Sequence, residues 1–231
     1  MLTLLTATSF RPEFFSLVEK YVANQTYVKN GKPCQWIVAC DGDISKYQFT
    51  MGQKVIVNKP HLHLHSICSN YRVLIEEAIK LNAEKVLFIE DDDWIHPTFF
   101  EVYDKWLDHH DLVGIAHNRY YHIKNQAYCE MPNRETSSLA STGVSGKTLP
   151  FVRALCFDND PYIDIALWKK WEPAFGTKKL RSYKYNHLHV GIKDGMGYGH
   201  GHALCEPKDE DGKILREWLG EDAKNYTTLQ A

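Results

Sequence analysis

Several things are missing from this sequence, and each absence excludes something. It has no C-x-x-C pair, no internal repeat, no low-complexity segment and no apolar run approaching the length of a membrane span, for which about 20 apolar residues are needed. No membrane segment is therefore expected. Its six cysteines (Cys34, Cys40, Cys68, Cys129, Cys156 and Cys205) are scattered, several of them in apolar stretches. That pattern predicts reduced thiols in a cytoplasmic protein rather than a disulfide frame or a zinc site. The opening MLTLLTATSF carries no basic residue and too short an apolar run for a secretory leader. An excess of one charge is also missing. Against 29 Asp and Glu stand 27 Lys and Arg, a net charge of −2, so nothing draws the whole molecule to nucleic acid or anionic membrane. With 231 residues, 44% of them hydrophobic, the chain suits a single domain with a good core.

What is present centres on Val86-Leu87-Phe88-Ile89-Glu90-Asp91-Asp92-Asp93-Trp94. An apolar run bounded by polar residues reads as a buried strand, and this one ends in four carboxylates. Ligands of open α/β sheets gather outside the carboxyl ends of the strands. Adjacent carboxylates repel one another unless a cation neutralises them, and oxygen-only donors suit Mg2+ or Mn2+. A solvated acidic loop ahead of a helix starting at His96-Pro97 is the plainer alternative.

Earlier in the chain, Leu2 to Ala7 is a predicted strand, and Pro12 opens a helix with Phe14, Phe15, Leu17, Val18, Tyr21 and Val22 on its apolar face. Thr6, Thr8 and Arg11 thus sit where a strand gives way to a helix, a place suited to a base, ribose or phosphate. Gln35 to Cys40 is a second strand, followed by Asp41-Gly42-Asp43, which is either a base- or ribose-binding acid or an ordinary turn. Lys54 to Val57 is a third strand. The alternating His61, His63 and His65 beyond it lack an acidic or cysteine partner and read as a polar face. Ser69 to Leu81 is a helix whose start offers Asn70 and Arg72 to a diphosphate, or simply to solvent. Strands alternating with helices predict an α/β fold with a mostly parallel central sheet.

The ordered set TLLTATSFRPE, QWIVACDGD, SNYRVLIEEAI and KVLFIEDDDWIHPTFFE resembles the first half of a family 2-type glycosyltransferase of the GT-A fold, over about residues 2–120. The resemblance implies one GT-A-like domain over 1–231, with a nucleotide-sugar-binding half (1–116) and an acceptor or catalytic half (117–231) bearing a β-ribbon. It implies a UDP- or GDP-sugar donor, an Mn2+ or Mg2+ ion and a soluble hydroxyl acceptor. Asp41 resembles the base-contacting aspartate. The DxD metal motif matches in two registers, Asp91-Asp92-Asp93 or Glu90-Asp91-Asp92. Asp92 and Asp93 are taken as metal ligands, and Glu90 and Asp91 as donor-binding acids.

Past the cluster, Phe99 to His110 is a predicted helix, Asp111 to Ala116 a strand, His117 to Met131 a hairpin or ribbon, Ser137 to Gly146 a loop or strand, and Lys147 to Cys156 a short helix. Asp160 and Pro161 suit a helix start, placing Asp164 in the first turns of a helix ending near Trp171. Asp164 resembles the catalytic base of inverting GT-A enzymes, with Asp158 in reserve; complementing the helix dipole is the plainer role. From Trp168-Lys169-Lys170-Trp171 through Lys178 to Tyr185 the chain interleaves lysine and arginine with aromatics, as a solvated loop or as a surface for an anionic acceptor. A modified DNA base is the narrower acceptor this stretch would serve. Asn186 to Lys193 is a strand, and His200 or His202 in the glycine-rich loop after it would complete the metal shell in the resembling family. Asp209 to Leu219 is expected as a surface helix. Two other readings stay open: a metal-dependent phosphoesterase or nuclease, and a nucleotide- or glycan-binding protein without catalysis.

Overall fold

The computed structural model describes residues 1–59, 65–132, 134–158, 160–176, 178–193 and 206–227. The chain opens with β1 (Leu2–Thr8), α1 (Pro12–Ala23), the single turn α2 (Thr26–Lys29), β2 (Cys34–Cys40), β3 (Lys54–Val57) and α3 (Ser66–Lys80). Next come β4 (Lys85–Phe88), the two-residue β5 (Trp94–Ile95), α4 (Phe99–Leu107), β6 (Leu112–Ile115), β7 (Asn118–His122) and β8 (Ala127–Met131). Then follow β9 (Thr142–Ser145), α5 (Leu149–Leu155), α6 (Ile163–Phe175), β10 (Lys179–Ser182), β11 (His189–Lys193), α7 (Lys213–Leu219) and α8 (Ala223–Thr227).

Seven strands form the main sheet in the order β10-β6-β9-β4-β1-β2-β3. All run parallel except β9, which lies antiparallel between β4 and β6. Period-two alternation divides the strands between two cores. Leu4, Trp36, Val38 and Leu87 face one layer with α1, α4 and α7. Leu5, Ile37, Ala39, Val86 and Phe88 face the other, with α3, α5 and α6. Burial on both faces is why β1, β2 and β4 read as unbroken apolar runs. A second sheet, β5-β11-β7-β8, sits beside the first, its β7–β8 hairpin being the ribbon expected over 117–131.

The structure sharpens four expectations. The small-residue stretch 137–146 supplies a buried inner strand, because Gly143 lets β9 close on its neighbours: a Cβ there would meet Leu87 Cδ2 at 2.8 Å. The basic stretch is divided: Trp168 to Trp171 belong to α6, with both tryptophans buried, and Lys179 to Ser182 form edge strand β10, paired with β6. Helix α6 begins at Ile163, since the Asp160 carboxylate is spent on the amide of Tyr162 (2.9 Å), and it runs on past Pro173. The helix expected on the surface over 209–219 starts at Lys213 and buries Leu215, Trp218 and Leu219, while Asp209 accepts the amides of Ile214 and Leu215. The five described cysteines are free thiols; Cys205 lies outside the described residues.

Candidate functional site

The backbone of Ile89 still pairs with Leu5, at 3.0 Å. One residue later the acidic run begins, at the carboxyl end of the middle strand of seven. It lines a cleft of about 410 Å³ shared with the ends of β1 and β2, the starts of α3 and α6, and β7 and β11. Asp91, Asp92 and Asp93 are each no more than 3% exposed, so their charges need partners inside the protein.

Those partners come from far along the chain. At the turn between β1 and α1, the Arg11 guanidinium forks across Asp91 (2.5 Å) and Asp92. The Thr8 hydroxyl donates to the other Asp91 oxygen at 2.7 Å. Asp93 accepts from the Ile192 amide and His189 Nε2, both at 2.8 Å, with Lys193 Nζ at 3.8 Å. Lys193 Nζ also lies 4.0 Å from Glu90 and 5.7 Å from the centre of the Tyr120 ring. Glu90, Asp92 and Asp93 form a triad with carboxylate oxygens within 4.8 Å of one another, whereas Asp91 is turned to Thr8 and Arg11. Asp92 Oδ1 is buried without a partner.

The electrostatics follow from this packing. Burial pushes the Asp92 carboxyl up to about 7, against the pull of Arg11 and Lys193. Burial, and then Asp93, lift Glu90 well above the carboxylate range. Burial also raises Asp91, against Arg11. Asp93 goes the other way: burial is outweighed by Lys193, His189 and the Ile192 amide, and the carboxyl is held below its ordinary value. The Lys193 ammonium is buried too, but Asp93, Asp92 and Glu90 keep it charged, with its pKa raised.

Across the cleft, Asp164 stands in the first turn of α6. Burial raises its carboxyl, opposed by the Ile165 amide and by Arg134. Thr8, Arg11, Asp41 and Asn70 line the same cleft. Asp41 keeps a buried Oδ1 with no partner, and Asn70 accepts from Asn58 at 2.8 Å. Three predicted residues are not among the lining residues. Thr6 is fully buried, accepting the Trp36 indole N–H at 2.9 Å. Arg72 lies over the Phe157 ring at 5.3 Å. Asp158 is half-exposed in an ion pair with Lys170 (2.7 Å). His200 and His202 lie outside the described residues. Sequence reading passed over Lys193, His189, Tyr120 and Arg134, all of which act in or beside the cleft. For Lys193 a signal existed, since it ends a strand just ahead of a glycine-rich stretch.

No family model matches the chain, and no curated protein does. Among solved structures, S. aureus TarS 1–349 in complex with UDP-GlcNAc superposes with a TM-score of 0.57 at 15% identity, covering 100% of this chain and 70% of that one. The fold is shared with TarS. The UDP complex of TarS 1–349 gives a TM-score of 0.53 at 13% identity, over 83% of this chain and 60% of that chain. A further TarS crystal structure gives 0.56 at 12% identity, where the match covers 83% of this chain and only 36% of TarS. What is common is a large central sheet flanked by helices.

Proposed function

We propose that the chain is a glycosyltransferase of GT-A type, resembling family 2, that moves a sugar from a UDP- or GDP-sugar to an acceptor hydroxyl by inverting displacement. The observation that carries this reading is the arrangement in one cleft of the acidic run at the end of β4 and Asp164 at the start of α6. A fold shared with a protein crystallised with UDP and UDP-GlcNAc supports a nucleotide-sugar donor. In this proposal residues 1–116 hold the donor and residues 117–231 face the acceptor.

The donor set fits a divalent ion. Four carboxylates, Glu90 to Asp93, crowd against Arg11 and Lys193. Burial and crowding raise Glu90, Asp91 and Asp92, a cost that a bound cation would relieve, and Asp92 keeps an orphaned oxygen. Glu90, Asp92 and Asp93 would hold Mg2+ or Mn2+. When bound, such an ion neutralises charge on a diphosphate leaving group.

The chain's own residues supply the rest. Asp41, at the end of β2, offers its free oxygen to the base or ribose. Arg11 holds Asp91 and Asp92 in place, and Lys193 does the same for Asp93 and Glu90. Asp164 takes the acceptor proton as the acceptor oxygen bonds to the anomeric carbon. The bond from that carbon to the diphosphate oxygen breaks on the opposite face, and its electron pair leaves with the nucleotide. A carboxyl raised above its ordinary value by burial is a stronger base for that proton than an ordinary one.

The test is release of nucleoside diphosphate from UDP- and GDP-sugars in Mn2+. Wild type should turn over, Asp92→Ala should lose metal-dependent release, and Asp164→Asn should bind nucleotide yet lose most turnover. Full turnover by Asp164→Asn would reassign the base. Cleavage of a phosphodiester without nucleotide release would favour a phosphoesterase instead.

A further inference from the structure

The sheet order separates two sides of the acidic run. Strands β1, β2 and β3 lie on one side of β4, carrying Thr8, Arg11 and Asp41; β9, β6 and β10 lie on the other. Arg134 belongs to that second side. It lines the cleft, and its Nη1 donates to two neutral partners, Tyr120 Oη at 3.0 Å and Asn118 Oδ1 at 3.5 Å. Arg11 and Lys193 are ion-paired with carboxylates, whereas Arg134 meets Asp164 only through space, near enough to pull that carboxyl down.

Backbone hydrogen bonds tie Arg134 to the basic stretch. Its amide donates to Ala116 (3.0 Å), and the Ala116 amide donates to Ser182, the last residue of β10 (2.9 Å). Since β10 runs parallel to β6, its end emerges at the same edge of the sheet as the cleft, about two strand spacings (~10 Å) from Arg134. There Tyr183 is 51% exposed, with the Arg181 guanidinium 5.6 Å from its ring centre and bonded to its hydroxyl at 2.8 Å. Lys184 beside it is exposed. No acidic residue occurs from Lys178 to Lys193, although the chain as a whole is acidic by two charges.

We infer that the acceptor is a strand of nucleic acid, laid across the end of β10 with phosphodiesters on Lys184, Arg181 and Arg134 and a base stacked on Tyr183. Repeated anions match the row of cations leading into the cleft. An exposed tyrosine whose hydroxyl is held by the Arg181 guanidinium gives a planar, sequence-tolerant platform, which a polyanion without bases would not use. The acceptor role rests on the transferase reading above; the contact itself does not, and it is measured without any sugar.

The experiment is fluorescence anisotropy of the full chain with a labelled single-stranded DNA of mixed sequence over a salt series. Binding should weaken with salt, and Lys184→Ala should reduce the slope of log K against log salt by about 0.7. Tyr183→Ala should weaken binding about five-fold or more, while both variants keep the thermal shift given by UDP with Mn2+. Absence of DNA binding at low salt, or binding that neither variant alters, overturns the inference. So does inorganic polyphosphate displacing the DNA from wild type and Tyr183→Ala equally well, which would mark a surface for polyanions in general. DNA binding in a protein that UDP and Mn2+ fail to stabilise would overturn the acceptor role and the transferase reading together, leaving only the contact.

Discussion

Arg11 holds two buried carboxylates at once, and its removal shows what the site demands of single residues. Breaking one partner of a buried ion pair leaves an uncompensated charge, which typically costs 3–5 kcal/mol. Arg11→Ala should therefore lose about 3 kcal/mol in urea denaturation, and Arg11→Lys should recover only part, because one ammonium cannot fork across Asp91 and Asp92. An unchanged denaturation midpoint in Arg11→Ala would show that the pair is not holding the cluster. Asp164 makes a prediction about pH. Its folded value is raised by burial, so its contribution to stability is present at low pH and is lost as pH rises through that value. In the proposed mechanism activity runs the opposite way, since there the ionised form accepts the proton. Log kcat/KM should rise with pH through the raised value, and Asp164→Asn should give a low profile without that limb. The same limb surviving in Asp164→Asn would assign it to another group.

Strand β9 shows where reading elements from sequence stops. Its stretch is small and glycine-bearing, readable as a loop or a strand with only Thr142 and Val144 as β-branched residues, and it is the antiparallel strand that joins β4 to β6. What makes it a strand is room beside it, and room is a property of neighbours distant in sequence. At its end Gly146 lies against another backbone, where an added Cβ would sit 1.7 Å from the Ala83 carbonyl oxygen. Gly146→Ala should thus cost about 3 kcal/mol or more, read as a fall in Tm. Gly31→Ala, with a φ of +71° and nothing within 4 Å of its Cβ, should lose only about 1 kcal/mol, from conformation alone. Equal losses in the two would contradict the packing of β9. By contrast β1, β2 and β4 were legible as unbroken apolar runs, and α1 and α3 by their helical period, although α3 starts at Ser66, three residues before the expected Ser69, with no side-chain cap to mark it. Helix α6 was legible in kind but not in start, since Asp160 caps a turn before the helix. The two-residue β5 had no local signal, its pairing lying with β11, 94 or more residues on.

For the molecule as a whole, the site is assembled from segments that only the fold unites: residue 11, residues 90–93, residue 164 and residues 189–193. The acids of that set stood out in the sequence because buried charge is conspicuous after an apolar strand. Of their counterions, Arg11 stood out by its place at the turn after β1, though as a ligand-binding residue rather than as the partner of Asp91 and Asp92. Lys193 did not, because it resembles any surface cation until the sheet is closed. Asp158 and Arg72 illustrate the converse, residues near the right elements whose side chains are taken up by Lys170 and Phe157 outside the cleft. That division of labour puts the whole account on the buried carboxylates gathered around Asp92. The most direct test is a thermal-shift screen of UDP-, GDP- and CMP-sugars with and without Mn2+, repeated on Asp92→Ala. A UDP- or GDP-sugar should raise Tm only when Mn2+ is present, and that gain should vanish in Asp92→Ala. If no nucleotide sugar shifts Tm in Mn2+, or if Asp92→Ala responds as wild type does, the account is contradicted.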